Sequence, residues 1–435
     1  LWGDHDISKT GRDRVFRANH RVRAVIAIVV RAAVHSERCN FADLLLVDLD
    51  LSAMPKNQYP APWRDRFHLK YVPVVRELPA LLRLQTLKPR TVASPQTALI
   101  VNCCLIGDFI VSLPAITEFI REHSSAQIDL LVSPSIAPLA RKLRGVRRVY
   151  AAVSVFRRDT ETGDADQRLG PSYDQVVVLR LSEPARRLLA GTSYRAIRTY
   201  LVPFLRHGLQ LAIQPSARVK QLTEFNFEVF GKFGRRERHL CADEIFDFTN
   251  VPAVDAPAGR AVLVHTGSGT RLHLWPIDKW VALLESLYRL GDISIVFVGG
   301  AEGEQRIFEE ISLRLSFPIQ SVIRRYDLLE LLMLMRVSRL FVGIDSGPRH
   351  LAHLVDLPSV SLLGPGPKSF EPLNRNATII DETECKRCNT FYCPYAPSCV
   401  GKIELETVAR ACRNSLMKVG GEASVGEVSP VRLVR

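Results

Sequence analysis

Short apolar runs and amphipathic stretches alternate along most of this chain, and the alternation sharpens from Thr97. Residues 98–103 form an apolar run of strand length, 105–108 carry turn residues, and 109–122 show helical periodicity with an interruption expected near Pro114. Runs of strand length recur at 128–132 and 175–179, with helical material between them. The second half is more regular. A strand at 261–266 precedes a helix at 276–290, with Trp280, Leu283, Leu284 and Leu287 on one face and Gly291 as its stop. Strands are then expected at 293–298, 319–323, 340–344 and 359–363, with helices at 302–315, 328–336, 348–355 and 404–417.

Strand–helix alternation of this kind predicts an α/β protein with doubly wound parallel sheets covered by helices. A length of 435 residues exceeds one ordinary core, since domains usually run about 100 to 200 residues. The segment 251–259, VPAVDAPAG, has linker composition and divides the chain. We therefore expect an N-terminal Rossmann-like domain over 96–250, a second over 259–412, and a flexible Gly/Ser/Glu/Val tail over 418–435. Residues 1–95, with apolar segments at 25–30 and 44–51 and a proline-containing stretch at 54–63, form an extension without an assigned role.

Lys and Arg exceed Asp and Glu by 13, which points to an anionic partner: nucleic acid, a membrane surface or a phosphorylated substrate. The basic residues are scattered and follow no nucleic-acid-binding pattern, so nucleic acid is disfavoured. The apolar stretch 24–30 ends at Arg31, far short of the roughly 20 residues of a membrane span, and Asp4 and Asp6 spoil a secretory leader. The expectation is a cytoplasmic protein, peripheral at most at an inner membrane. Nine cysteines in a chain of this length do not resemble a secreted disulfide framework.

Ligands of open α/β sheets bind beyond the carboxyl ends of the strands, so the turns there carry the candidate chemistry. After the first strand come Gly107 and Asp108; the carboxylate is either reactive or a helix cap. After 261–266 comes HTGSGTRLHLWP, where Gly267, Ser268 and Gly269 let backbone amides approach a phosphate, or form an ordinary loop; neither a Walker spacing nor GxGxxG is present. After 340–344, Asp345 and Ser346 precede a helix with Gly347 and Pro348 at its start. Exposed amides there suit a diphosphate, Asp345 suits sugar hydroxyls, and His350 lies in the first turn; Asp345 or Ser346 as a cap and His350 as a structural histidine is the competing reading. Glu302, after Gly299 and Gly300, is placed either to hold a ribose or to complement the helix dipole.

The order and spacing of these turns resemble the glycosyltransferase family that contains the bacterial lipopolysaccharide heptosyltransferases, family 9. The resemblance rests on Gly107-Asp108 with Pro114-Ala115-Ile116, on 265–269 with Trp275-Pro276 and Trp280, on 299–304, and on the DSGPxHLA element at 345–352 with Gly364-Pro365. It covers about 97–412 and implies the GT-B type, two facing Rossmann-like domains. It also implies an inverting, metal-independent transfer of a sugar, heptose from ADP-heptose, to a lipopolysaccharide-core or other lipid-linked or protein-linked glycan acceptor. Asp108 matches the catalytic base of that reaction. Ser268, Gly269, Arg271, His273, Asp345, Ser346, Gly347 and His350 would line the donor site, with Glu302 on the ribose. No cofactor is implied for catalysis. Relatives commonly place a phosphate-directed lysine where this chain has His273, with Arg271, Arg349 and Lys368 as replacement cations. That departure keeps open an alternative, a catalytically impaired sugar-nucleotide-binding partner or scaffold.

Cys385, Cys388, Cys393 and Cys399 have the spacing C-x2-C-x4-C-x5-C. Four thiolates in a short loop suit a structural zinc or iron; four reduced thiols or a redox pair is the competing reading.

Overall fold

A computed structural model describes residues 92–153, 168–200, 203, 221–232, 240–252, 254, 260–267, 274–364, 376–380, 399–420 and 433–434. The first half builds a five-stranded sheet from β1 (Thr97–Asn102), β2 (Gln127–Val132), β3 (Val146–Ala151), β4 (Ser172–Arg180) and β5 (Ser193–Thr199). Every ladder is parallel, and the order is β3-β2-β1-β4-β5. The helices are α1 (Ile106–Glu122), α2 (Ala137–Ala140), α3 (Glu183–Ala190), α4 (Leu222–Val229) and α5 (Ala242–Ile245).

The second sheet comprises β6 (Ala261–His265), β7 (Ser294–Phe297), β8 (Gln320–Ser321), β9 (Leu340–Ile344), β10 (Ser359–Leu362), β11 (Ala377–Ile380) and β12 (Leu433–Val434). It is again all parallel, in the order β12-β11-β10-β9-β6-β7-β8. Its helices are α6 (Ile277–Tyr288), α7 (Glu302–Ser312), α8 (Leu328–Arg336), α9 (Gly347–Leu354), α10 (Cys399–Lys402) and α11 (Leu405–Gly420). Each sheet thus reverses its winding at one place, between β1 and β4 in the first and between β6 and β9 in the second.

Burial explains why these strands read as continuous apolar runs. Along β6, Ala261 and Leu263 join one hydrophobic cluster while Val262 and Val264 join another, because both faces of the sheet are covered. The first cluster also takes in Phe109, Ile110 and Leu113 of α1, Leu331, Leu332 and Met335 of α8, and Leu351 and Ala352 of α9. One apolar core therefore runs from the first sheet into the inner face of the second. The outer cluster joins Trp280, Leu283, Leu284 and Leu287 of α6 to Val408 and Cys412 of α11. Burial pushes the Cys412 thiol up to about 12.

Four sequence expectations change. The helix expected to break near Pro114 runs unbroken through it, and α1 begins at Ile106, so Asp108 lies in the first helical turn and not in a loop. Proline removes one backbone donor and crowds the preceding turn. There Ser112 Oγ donates to the Phe109 carbonyl (2.6 Å) and Asn226 Nδ2 to that of Val111 (3.3 Å), while α1 is buried along most of its length. The strand expected at 319–323 shortens to β8. The edge strands β3 and β5 were not anticipated. Finally, α11 extends beyond Met417 to Gly420, and Leu433–Val434 return from the expected tail to pair with β11.

Candidate active site

The turn after β1 is short and pinned. Cys103 N–H donates to the Arg180 carbonyl (3.1 Å), Ser133 Oγ–H donates to the Cys104 carbonyl, and buried Asn102 Nδ2 donates to Ser112 Oγ (2.8 Å). Asp108 is consequently the third residue of α1, where the helix dipole favours a carboxylate. Its side chain is 15 % exposed, and Oδ1 lies 3.9 Å from Nη2 of Arg180. Arg180 ends β4, across the switch point, with its guanidinium 5.3 Å from the centre of the Tyr200 ring. Burial, then the Asp108 charge, push the Cys104 thiol well above its usual value, which leaves it an inert neighbour.

At the end of β6, His265 Nδ1 lies 2.9 Å from the Val298 carbonyl, an acceptor, so Nδ1 carries the hydrogen. Its Nε2 lies 3.8 Å from Oε1 of Glu304. The other oxygen of Glu304 accepts from the Gly300 (2.6 Å) and Ala301 (2.9 Å) amides. Two glycines make room for this carboxylate: a Cβ on Gly267 would sit 2.0 Å from Glu304 Cγ, and one on Gly299 2.1 Å from its Oε2. Glu302, the acid singled out from the sequence, turns outward instead, 66 % exposed and paired with Arg306.

After β9, Asp345 N–H donates to the Leu362 carbonyl (3.1 Å), and Ser346 stands at the start of α9. The Ser346 side chain does not cap this helix; its Oγ donates back to the Ile344 carbonyl (3.1 Å). The leading amides therefore remain suited to an anion. Asp345 Oδ1 is 2.7 Å from Nη2 of Arg349, which is buried beneath the turn. His350 is also buried; burial first, then Arg349 and His353, hold it well below the ordinary imidazole value.

Two of these turns touch. A Cβ on Gly107 would lie 2.8 Å from Cδ2 of His350, and one on Gly347 would lie 2.9 Å from Cβ of Ile106. The starts of α1 and α9 face each other with a glycine of each against a side chain of the other. Asp108 from the first half and Asp345, Ser346, Gly347 and His350 from the second are thereby gathered at one seam, while β6, beside β9, ends at His265 on the same sheet end, with Gly267 just beyond it.

Trp275 and Lys279 serve the frame. Trp275 Nε1 donates to the Ile403 carbonyl (3.1 Å), and Lys279 Nζ to the carbonyls of Gly401 (3.0 Å) and Ile403 (2.8 Å), tying the start of α6 to the α10–α11 connection. Ser268, Gly269, Arg271, His273 and Lys368 lie outside the described residues, as do Cys385, Cys388 and Cys393, while Cys399 opens α10. Among the described residues no group of three or more His, Cys, Asp or Glu is arranged to hold a metal ion, and no helix is long and apolar enough to cross a membrane. Sequence reasoning missed Arg180, Glu304 and the Arg349–Asp345 pair. Position at a strand end marks the first, and the four-residue spacing marks the last.

Two parallel-sheet α/β domains meeting at the carboxyl ends of their strands define the GT-B class. Residues 193–398 match the family model of glycosyltransferase family 9 (heptosyltransferase). The chain is 25 % identical over 335 residues to lipopolysaccharide heptosyltransferase 1 of Pseudomonas aeruginosa, covering 69 % of this chain and 88 % of that protein. It is 26 % identical over 154 residues to the Campylobacter coli protein of the same name, a match spanning 35 % of this chain and only 45 % of the relative. Among solved structures, a family 9 glycosyl transferase of Veillonella parvula superposes with a TM-score of 0.55 at 15 % identity, covering 76 % of this chain and 99 % of that one. ADP-heptose LPS heptosyltransferase II of E. coli gives 0.53 at 17 % identity, covering 75 % of this chain and 100 % of that one. These findings together support a glycosyltransferase family 9, lipopolysaccharide heptosyltransferase-like protein.

Proposed function

We propose that the chain is an inverting glycosyltransferase, moving heptose from ADP-heptose to a lipopolysaccharide-core or similar glycan acceptor. On this reading the domain over 96–250 presents the acceptor and that over 259–412 holds the nucleotide sugar. The observation that carries it is the reciprocal contact of the α1 and α9 starts, which sets a helix-start carboxylate from one domain beside an uncapped helix start from the other. Asp108 takes the proton of the acceptor hydroxyl as that oxygen bonds to the anomeric carbon; the bond from that carbon to the diphosphate oxygen breaks, and ADP departs with its electron pair. Amides at Ser346 and Gly347, with Ser268, Gly269 and Arg271 from the neighbouring turn, stabilise the departing charge as fixed dipoles and cations, without a metal. Asp345 accepts from sugar hydroxyls. Glu304, aimed at the strand ends where Glu302 is not, is the better candidate for organising the ribose side. The basic surplus suits a phosphorylated lipid acceptor at the cytoplasmic face of a membrane. The cysteine loop is a structural clip for zinc or iron with no part in the reaction.

His273, standing where relatives commonly carry lysine, favours the second reading, a nucleotide-sugar-binding partner that has lost turnover. The experiment is a panel of nucleotide sugars scored for thermal shift, hydrolysis and transfer to acceptor extracts, with wild type and Asp108→Ala. Donor-dependent stabilisation with transfer that Asp108→Ala abolishes supports the enzyme; stabilisation without transfer on any extract supports the binder. Unchanged transfer by Asp108→Ala removes the base assignment.

A further inference from the structure

Arg349 is the third residue of α9, a helix buried from Pro348 to Leu354, and its charged side chain is fully buried with it. A guanidinium has five N–H donors, no acceptor, and does not give up its charge in a protein, so its burial dictates what surrounds it. Nη2 lies 2.7 Å from Asp345 Oδ1 and 3.2 Å from His350 Nε2. The carboxylate contact is a charge-assisted pair, one turn apart on the helix start. The imidazole contact admits only one hydrogen assignment: because arginine can only donate, Nε2 of His350 must accept, and the ring hydrogen belongs on Nδ1. Asp345 meanwhile keeps 23 % of its side chain exposed at the turn, so it is anchored from below and open from above. His350 in turn abuts Gly107, the residue before Asp108.

We infer that Arg349 is a positioning residue: it aims the Asp345 carboxylate at the donor's sugar and locks His350 as its Nδ1–H tautomer, with the Cδ2–Nε2 edge of the ring against Gly107. The inference rests on the donor-site reading for its sugar and stands apart from it for the tautomer. It also assigns Arg349 a role different from a phosphate clamp, since its guanidinium is turned into the core.

The test has two arms. In the first, ¹⁵N-imidazole spectra of histidine-labelled protein, with His350 assigned by its loss in His350→Gln, read the tautomer directly. Wild type and Asp345→Asn give the Nδ1–H pattern, Arg349→Lys retains it, and Arg349→Met mixes the two tautomers. An Nε2–H pattern in wild type, or an unchanged pattern in Arg349→Met, overturns the tautomer lock. In the second arm, calorimetry compares ADP with ADP-heptose. Arg349→Met weakens ADP-heptose by about tenfold to a hundredfold, the size of a lost charge-assisted contact, and leaves ADP within about threefold. Equal loss for both ligands marks a merely structural arginine and overturns the inference. Should wild type bind neither nucleotide, the donor-site reading fails while the first arm still decides the tautomer. Should Arg349→Met not fold, the wild-type spectrum alone decides the first arm, an Nε2–H pattern overturning the lock, and Arg349→Lys and Asp345→Asn carry the second, Asp345→Asn losing ADP-heptose selectively and Arg349→Lys losing less than that.

Discussion

Asp108 gains its chemistry from where it sits. As the third residue of a helix, beside Arg180 and under one-fifth exposed, it is held as an acceptor at the edge of solvent. On the proposed reading, Asp108→Asn keeps the shape and removes the proton acceptor; the expected result is a kcat lower by about 10²- to 10⁴-fold, with the Kd of the proposed donor ADP-heptose within about threefold. Single-turnover rates and calorimetry check it, and a large loss of binding with little loss of rate would assign Asp108 to the donor instead. His353 makes a different residue-scale prediction. It is fully buried, neither ring nitrogen has a hydrogen-bond partner among the described residues, and burial together with Arg349 holds it well below the usual imidazole value. The sign follows from linkage: the unfolded chain takes up protons near pH 6.5 where the folded one does not, so stability is complete above about pH 6.5 and falls as the solution is acidified below it. Each such histidine contributes a slope of at most about 1.4 kcal/mol per pH unit. Urea unfolding of His353→Gln between pH 7 and 5 is expected to be shallower than wild type by up to that slope; parallel curves would mean that His353 protonates in the native state.

At the scale of elements, the seam between α1 and α9 depends on two missing side chains. Ala in place of Gly347 gains helix propensity, about 1 kcal/mol, but its Cβ meets the Cβ of Ile106 at 2.9 Å, which is no flexible tip that can swing away. Overpacking of this kind costs about 1 to 3 kcal/mol. We expect Gly347→Ala to destabilise in denaturant melts and to slow transfer, and Ile106→Ala to restore part of both in the double variant; strict additivity of the two substitutions would break the steric argument. Much of this frame was legible in the sequence. β6 and β9 are buried on both faces and read as apolar runs, β1, β2 and β10 read as mostly apolar ones with buried polar residues such as Asp129 and Ser361 among them, and α6 shows its period because one face alone is buried. Edge strands were not legible, since β3 (VRRVYA) and β5 (SYRAIRT) mix arginines into a half-covered surface. Pro114 misled because burial of α1 along most of its length outweighs a local rule. At the site, motif spacing found the turns but not the direction of each side chain. Glu302 and Glu304 are two residues apart in α7, so they cannot share a face, and only packing against Gly267 and Gly299 decides which turns inward.

For the whole molecule, the two halves share more than a cleft. Interfaces between domains of one chain are ordinarily polar and separable. Here the hydrophobic cluster that contains β1 and α1 continues through Leu328, Leu331, Leu332 and Met335 of α8 and Leu351 and Leu354 of α9 to Phe341 of β9. Arg336, at the end of α8, pairs with Asp243 of α5 and lies 4.3 Å over the Phe248 ring, closing a second point of the seam. Neither half could leave the other without exposing apolar surface that belongs to its own core, so their unfolding should be coupled. Scanning calorimetry is expected to give one transition with a calorimetric to van't Hoff enthalpy ratio of about one, unusual for a protein of two domains. Leu332→Ala tests the coupling directly. Removing a buried leucine costs about 2 to 5 kcal/mol, and if the core is shared the single transition shifts downward whole. Two resolved transitions in wild type, or a Leu332→Ala scan in which one moves and the other stays, would show the domains to be thermodynamically separate and would return the α1–α9 seam to a contact made only on closure.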